Sequence, residues 1–406
     1  MKHIEVYTDN SPAGYITKNN LNYHFNYIFP KPENIKPVSL TMPYREETWT
    51  NRGNLHPVFE MNLPEGYLFE IFKNILMKEY GTINDYILLS YLSNNIQGYL
   101  TYNSDITYQQ NISTEIPSLD DLITSDDTDL FDKLLSMFIH QTSLSGIQPK
   151  VLATLKEKSA LSTQDYIVKS WGDDFAHLAE NEFFCMQVAR KAGVKIPETI
   201  LSKNKKLLFI KRFDISENKY LGFEEVCVLQ GKNKIHKYSG SYEQVAKTVS
   251  IFTDEFSKGE SLLQLYKIIV ISYILRNGDA HLKNFGILYT TDHKKRFLSP
   301  AYDIVTTTPY IFSDKPALTM FGRKIWWGKK ELLTFGKNYC LISDKESEKI
   351  YDECMQAMID VKNDIKKYVK ENPHFEKTGK DIITSWESSE DMKTKKDIKN
   401  EILGNR

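Results

Sequence analysis

Residues 277–284 read NGDAHLKN and follow, across Arg276, on residues 266–275, YKIIVISYIL. A bilayer crossing takes about 20 apolar residues, so this shorter run reads as a buried helix rather than a span. The polar octapeptide then stands where the chain leaves the core. Within it Asp279, His281 and Asn284 occupy relative positions 0, +2 and +5, and Asp303 follows in SPAYDIV on the next strand-like stretch. If the chain loops out after the helix and returns as a strand, Asp279, Asn284 and Asp303 face one cavity. Hard Mg²⁺ takes oxygen ligands and keeps phosphates and waters, while a separate carboxylate can orient or deprotonate a hydroxyl. A phosphoryl-transfer site uses all three side chains. The plainer reading keeps NGD as a turn, Asn284 as a local cap and Asp303 as an Asx-turn residue. His281 reads equally well as a structural hydrogen-bonding group.

Composition sets limits around this loop. Lysine plus arginine number 52 against 53 acidic residues in 406, so the near-zero balance gives no global attraction to nucleic acid or anionic lipid. The four cysteines, Cys185, Cys227, Cys340 and Cys354, form no metal-ligand spacing and no redox pair. The first residues, MKHIEVYTDN, lack an export-signal pattern, and a cytoplasmic, non-membrane protein is expected.

The first hundred residues form their own unit. IEVY, AGYI and YHFNYIF read as a small antiparallel sheet broken at Asp9-Asn10 and Asn19-Asn20, followed by helices over PEGYLFEIFKNILM and TINDYILLSYLS, the second capped by Thr82 or Asn84. Residues 106–132 are acidic and read as a linker or connecting region. VLATL, DYIVKS and KLLFIKRFD then read as strands, with AENEFFCMQVARKAG as an amphipathic helix between the last two. Beyond residue 260 the pattern is mainly helical, interrupted by short strands at FGILYT and RFLSP, and the lysine-rich end reads as a fraying helix.

A nucleotide needs cations and backbone donors. On an alternating strand Lys169 points opposite to Val168, and Glu182 shares a helix face with Leu178, Ala179, Cys185, Met186 and Ala189. A carboxylate on such a face wants a partner, and Lys169 with Glu182 is expected as a buried pair in which the lysine reaches phosphate oxygens. Glu180 and Asn181 fall on other faces. Ser143, Ser145, Gly146, Gln148 and Lys150 lie in a small-residue segment, SLSGIQPK, able to bring backbone N–H groups to phosphates. The spacing is not that of a Walker loop.

Together VSLTMPYREETW, FEMNLPEG, SLSGIQPK, YIVKS, ENEFFCMQVARKAG, IKRFD, KYSGSYEQVA, NGDAHLKNFGIL and LSPAYDIV resemble the HipA toxin family of serine/threonine kinases over residues 1–375. The resemblance implies an α+β, protein-kinase-like bilobal fold with an added N-terminal α+β subdomain (1–105), a nucleotide-binding lobe (133–225), a mainly helical catalytic lobe (226–380) and a polar tail (381–406). It implies Asp279 as the catalytic aspartate, Asn284 and Asp303 as Mg²⁺ ligands, and Lys169, with Glu182, as the phosphate lysine. Lys211 to Phe213 would supply adenine contacts, Gln148 and Lys150 the phosphate loop, and His281 and Lys283 the nucleotide side, Lys283 being expected as an exposed neighbour. Ser143 aligns with the autophosphorylated serine, and Ser145 offers a second hydroxyl. The implied ligands are ATP and Mg²⁺. The implied partners are a protein substrate of the aminoacyl-tRNA synthetase class and a HipB-like helix-turn-helix antitoxin, through which DNA is met only indirectly. GDxHxxN lacks the histidine-arginine pair of ordinary protein kinases, so a small-molecule (aminoglycoside-like) kinase and a catalytically silent scaffold in a repressor complex stay open as alternatives.

Overall fold

Period-two burial sets the first sheet. In the computed structural model, which describes residues 3–33, 35–93, 96, 98–105, 116–127, 129–138, 150–157, 162–171, 175–217 and 219–394, β1 (Ile4–Thr8) buries Ile4, Val6 and Thr8 between partly exposed Glu5 and Tyr7. It joins β2 (Ser11–Asn19), β3 (Asn22–Tyr27), β4 (Trp49–Arg52) and β5 (Leu100–Asn103) in the antiparallel order β4-β3-β2-β1-β5. Asp9 and Asn10 both have positive φ, 48° and 61°, as a two-residue hairpin turn requires. Helices α1 (Pro57–Glu60), α2 (Gly66–Tyr80) and α3 (Asp85–Leu92) bury Phe59, Phe72, Leu88 and Leu89 in the core that also holds Val6 and Phe25. Each such side chain contributes about 1.5–3 kcal/mol on leaving water. Asn84 caps α3 by accepting from the N–H groups of Tyr86 and Ile87.

The acidic stretch expected as a connecting region carries α4 (Leu119–Thr124) and α5 (Leu130–Phe138). Leu119, Leu122, Leu130 and Leu134 recur at helical spacing among the aspartates and share a core with Val151, Leu155, Val168 and Phe209. Those four residues belong to a sheet of β6 (Lys150–Glu157), β7 (Ser162–Lys169), β8 (Thr199–Leu201) and β9 (Leu208–Lys211), ordered β6-β7-β9-β8, with α6 (Leu178–Lys191) intervening in sequence. A small hairpin, β10 (Ile215–Ser216) and β11 (Lys219–Tyr220), precedes β12 (Gly222–Glu225) and α7 (Val226–Leu229). β12 pairs with β13 (Gly286–Tyr289), which pairs with β14 (Arg296–Leu298). On β12 the fully buried Glu224 accepts from Ser39 Oγ and Leu40 N at 2.7 Å each and from Tyr289 Oη at 3.0 Å. Burial outweighs these bonds and pushes its carboxyl up to about 7. All these elements except α6 belong to one compact unit, made of Met1–Asp173, Glu198–Lys237 and Gly286–Ser299.

The second unit, Asp174–Pro197, Tyr238–Phe285 and Pro300–Arg406, is helical. It contains α6, α8 (Tyr242–Phe252), α9 (Lys258–Ile274), α10 (Lys329–Cys340), α11 (Asp344–Glu371) and α12 (Glu376–Thr394). α9 holds most of the run YKIIVISYIL and is buried on nearly every face from Ile268 to Ile274. The C-terminal segment expected as a fraying helix is helical as far as Thr394, in α12, where Ile382 and Trp386 are fully buried; residues 395–406 lie outside the described residues. The amphipathic expectation for α6 is also overturned, because Glu180, Asn181 and Glu182 are all buried. No helix among the described residues is long and apolar enough to cross a membrane.

Candidate active site

The loop after α9 is built by its own polar groups. α9 ends at Leu275, Arg276 turns the chain with φ 56°, and Asn277 N–H returns to Ser272 O at 2.8 Å. Asn277 Oδ1 accepts from Asp279 N at 3.1 Å, and Gly278 N donates to Thr307 Oγ1 at 2.9 Å, whose hydroxyl donates to Arg276 O at 3.0 Å. A side chain at Gly278 would overlap the Asp314 carboxylate and come within 2.8 Å of Thr307 Oγ1, so glycine is the residue that fits. His281 N donates to Asp279 O and Asn284 Oδ1, and Asn284 N donates to His281 O. The capping expectation for Asn284 is therefore met. A carbonyl oxygen has two lone pairs, and one N–H bond leaves Asn284 Oδ1 a second acceptor site.

Of the eight residues 277–284, Asp279 is the one that is not buried, its side chain being 46% exposed. Tyr238 Oη donates to Asp279 Oδ1 at 2.7 Å, and the Tyr238 ring meets His281 edge-on at 5.1 Å. His281 Nε2 lies 3.9 Å from Asp279 Oδ1, beyond hydrogen-bond range, so the imidazole packs beside the carboxylate rather than bonding it. Lys283 is a correction: it is 6% exposed rather than a surface neighbour, and its carbonyl accepts from Tyr302 Oη at 2.7 Å.

Asp303 also departs from expectation, because SPAYDIV forms no strand and Asp303 has φ 55°. Side-chain and backbone anchors replace ladder bonds. Ala301 N donates to Lys195 O at 2.8 Å; Asn181 of α6 accepts from Thr306 N at 3.0 Å and donates to Thr306 O at 2.8 Å. Trp386 Nε1 of α12 donates to Thr306 Oγ1 at 2.8 Å. Cys185 lies beside the same hydroxyl, and burial pushes its thiol up to about 12, which leaves it unreactive. Asn181, Tyr238 and Trp386 escaped the sequence reading. Asn284 and Asp303 offer the oxygen donors that Mg²⁺ prefers, and the Tyr302–Lys283 bond ties the segment of Asp303 to the loop of Asn284.

In the sheet-rich unit, Lys169 and Lys150 stand directly opposite on β7 and β6 and are both buried. Opposed residues leave a sheet on one face, where two like charges cost stability. Lys211 on β9 reaches Glu157 Oε1 at 3.2 Å, and the Phe213 ring meets Phe223 at 5.8 Å. Between them the Arg212 side chain, 9% exposed, pairs with Asp214 and Asp165, and these ion pairs hold the middle of the stretch. Glu182 is buried on α6 in the helical unit. Ser143, Ser145, Gly146 and Gln148 lie outside the described residues.

A family model described as the HipA-like C-terminal domain matches residues 142–362, more than half of the chain, and one described as the HipA N-terminal domain matches residues 4–103. The chain is 30% identical over 204 residues to the Sinorhizobium fredii (strain NBRC 101917 / NGR234) protein named "Putative kinase Y4dM", covering 45% of this chain and 49% of that protein. It is 30% identical over 188 residues to a Haemophilus influenzae (strain ATCC 51907 / DSM 11121 / KW20 / Rd) protein named "Putative kinase", covering 41% and 53%. The chain thus spans about half the length of these curated relatives. Among solved structures it is similar to HipA in the toxin–antitoxin complex of HipA, HipB and operator DNA from Shewanella oneidensis MR-1, with TM-score 0.64 and 16% identity over 95% of this chain and 97% of that one. That likeness is one of fold: the α+β, two-lobed, kinase-like pattern is shared.

Proposed function

The chain belongs to the HipA family, and from that membership we propose that it is a toxin-type kinase that transfers the γ-phosphoryl group of ATP to a serine or threonine hydroxyl of a protein. The observation that carries this reading is Asp279, the one solvent-facing residue of a loop otherwise buried from 277 to 284. A carboxylate so placed can meet an incoming hydroxyl, orient it and accept its proton as the oxygen attacks. Asn284 and Asp303 would hold Mg²⁺, which supplies charge neutralisation at the phosphates when bound. Lys169 and Lys150 would contact phosphate oxygens, with Glu182 as the partner of Lys169. Backbone groups of Lys211 to Phe213 would contact the adenine, and His281 and Lys283 would line the nucleotide side from within the loop.

In the same reading Ser143, with Ser145 as a second acceptor, is the autophosphorylation site in the segment that also carries Gly146 and Gln148. Each phosphate would bring about −1.5 to −2 charge to a place meant for ATP phosphates and so oppose nucleotide binding. The protein substrate is of the aminoacyl-tRNA synthetase class and the neutralising partner a HipB-like helix-turn-helix antitoxin. The solved relative bound to HipB and operator DNA supports that partner.

The test is phosphoproteomics and labelled-ATP transfer with the wild type and Asp279→Asn. The variant should lose transfer by about 1,000-fold or more, within the range of general acid–base catalysis, while still binding ATP. Full activity in the variant rejects the assignment. Transfer to aminoglycosides or sugars, and to no protein, would replace the protein-kinase reading with a small-molecule one.

A further inference from the structure

The helical unit holds a second polar cluster that phosphoryl transfer does not use. His177, Glu180 and His374 each offer one ligand atom, and these atoms all lie within 4.8 Å of one another. Glu180 has no exposed surface. His177 Nδ1 lies 2.9 Å from its Oε2, and His374 Nε2 lies 3.1 Å from its Oε1, which also accepts from Tyr368 Oη at 2.7 Å. Ligands on a four-coordinate zinc with bonds of about 2.0–2.1 Å stand roughly 3.3 Å apart; the two imidazole–carboxylate separations, 2.9 and 3.1 Å, are near that spacing, and all three ligand atoms fall within 4.8 Å.

The surroundings hold this geometry. His177 precedes α6 with φ 62°, a left-handed conformation that side-chain-bearing residues rarely adopt, and its ring meets Glu180. Its ring lies 5.4 Å from that of His374 and meets the buried Phe375 edge-on at 5.8 Å. His374 follows α11 in the turn Pro373–Phe375 and is 45% exposed on its side chain, which gives an ion a way in. A sealed carboxylate favours a full positive charge beside it, and two imidazoles with one carboxylate are a donor set that zinc accepts.

We propose that His177, Glu180 and His374 bind a zinc-type divalent cation that joins the start of α6 to the turn after α11. Tyr368 donates to the ligating carboxylate from outside, and water fills the fourth position. With neutral rings, binding moves one proton within each imidazole, from Nδ1 to Nε2 in His177 and from Nε2 to Nδ1 in His374, so that a lone pair faces the ion.

The full chain, stripped with a chelator, is titrated with Zn²⁺ against a chelating dye, and its melting is followed with and without the ion. One equivalent should bind and raise Tm. His374→Gln, at a partly exposed position, should weaken binding by at least about 10-fold and remove the Tm increment, and Tyr368→Phe should weaken it about 10-fold. Failure to retain zinc, or equal retention by His374→Gln and His177→Gln, overturns the site and leaves a hydrogen-bonded cluster. Neither readout depends on kinase activity.

Discussion

Tyr238 donates its hydroxyl to Asp279 Oδ1 at 2.7 Å, across 41 positions of sequence, while its ring packs on His281. One tyrosine therefore fixes both the carboxylate and the ring beside it. A hydrogen bond to an ionised group contributes about 1.5–3 kcal/mol. Tyr238→Phe keeps the ring and removes the donor, so phosphoryl transfer should fall about 10- to 100-fold with ATP affinity unchanged. A variant with unchanged rate would reduce Tyr238 to packing.

Gly278→Ala places a methyl group against the Asp314 carboxylate and Thr307 Oγ1. Overpacking of this kind costs about 1–3 kcal/mol, and here it pushes on the residue before Asp279. Both Tm and transfer should fall. Adding Asp314→Ala removes the main obstacle and should restore part of each, read as a double-mutant cycle.

Asn181→Ala removes both bonds to the Thr306 peptide and leaves its buried N–H and C=O without those partners. Each such loss costs about 1–3 kcal/mol. The segment carrying Asp303 should loosen, and the Mg²⁺ concentration needed for half-maximal transfer should rise more than the ATP requirement. A pure stability loss, with Mg²⁺ dependence unchanged, would separate Asn181 from the metal side.

Glu224 sets a pH dependence of stability. Its carboxyl is pushed from 4.5 up to about 7 by burial. Below about 4.5 both folded and unfolded chains hold the proton. Between these values only the folded chain does, so stability falls as pH rises, by at most about 1.4 kcal/mol per unit, and levels off above about 7. Denaturant unfolding across that window should show this slope in the wild type and lose it in Glu224→Gln.

The sequence already disclosed the run from Tyr266 to Leu275 as buried helix and the octapeptide after it as an organised loop, because a long apolar run and a cluster of short polar residues are local signals. α4, α5 and α12 were harder. Their leucines and Trp386 are thinly spread among aspartates, lysines and serines, and burial depends on which remote surface they meet. Tyr238 and Asn181 were invisible for a related reason: each acts through a hydrogen bond to a distant part of the chain, and composition carries no trace of such a pairing. The irregular backbone at Asp303 was likewise hidden, since its anchors at Lys195, Asn181 and Trp386 all come from other elements.

The bond from Trp386 to Thr306 spans 80 positions of sequence. During synthesis the segment of Asp303 is complete long before the indole that braces it has been made. In an emerging chain the Asn181 and Lys195 anchors of that segment are therefore available first, and the Trp386 anchor joins them only once α12 has been made.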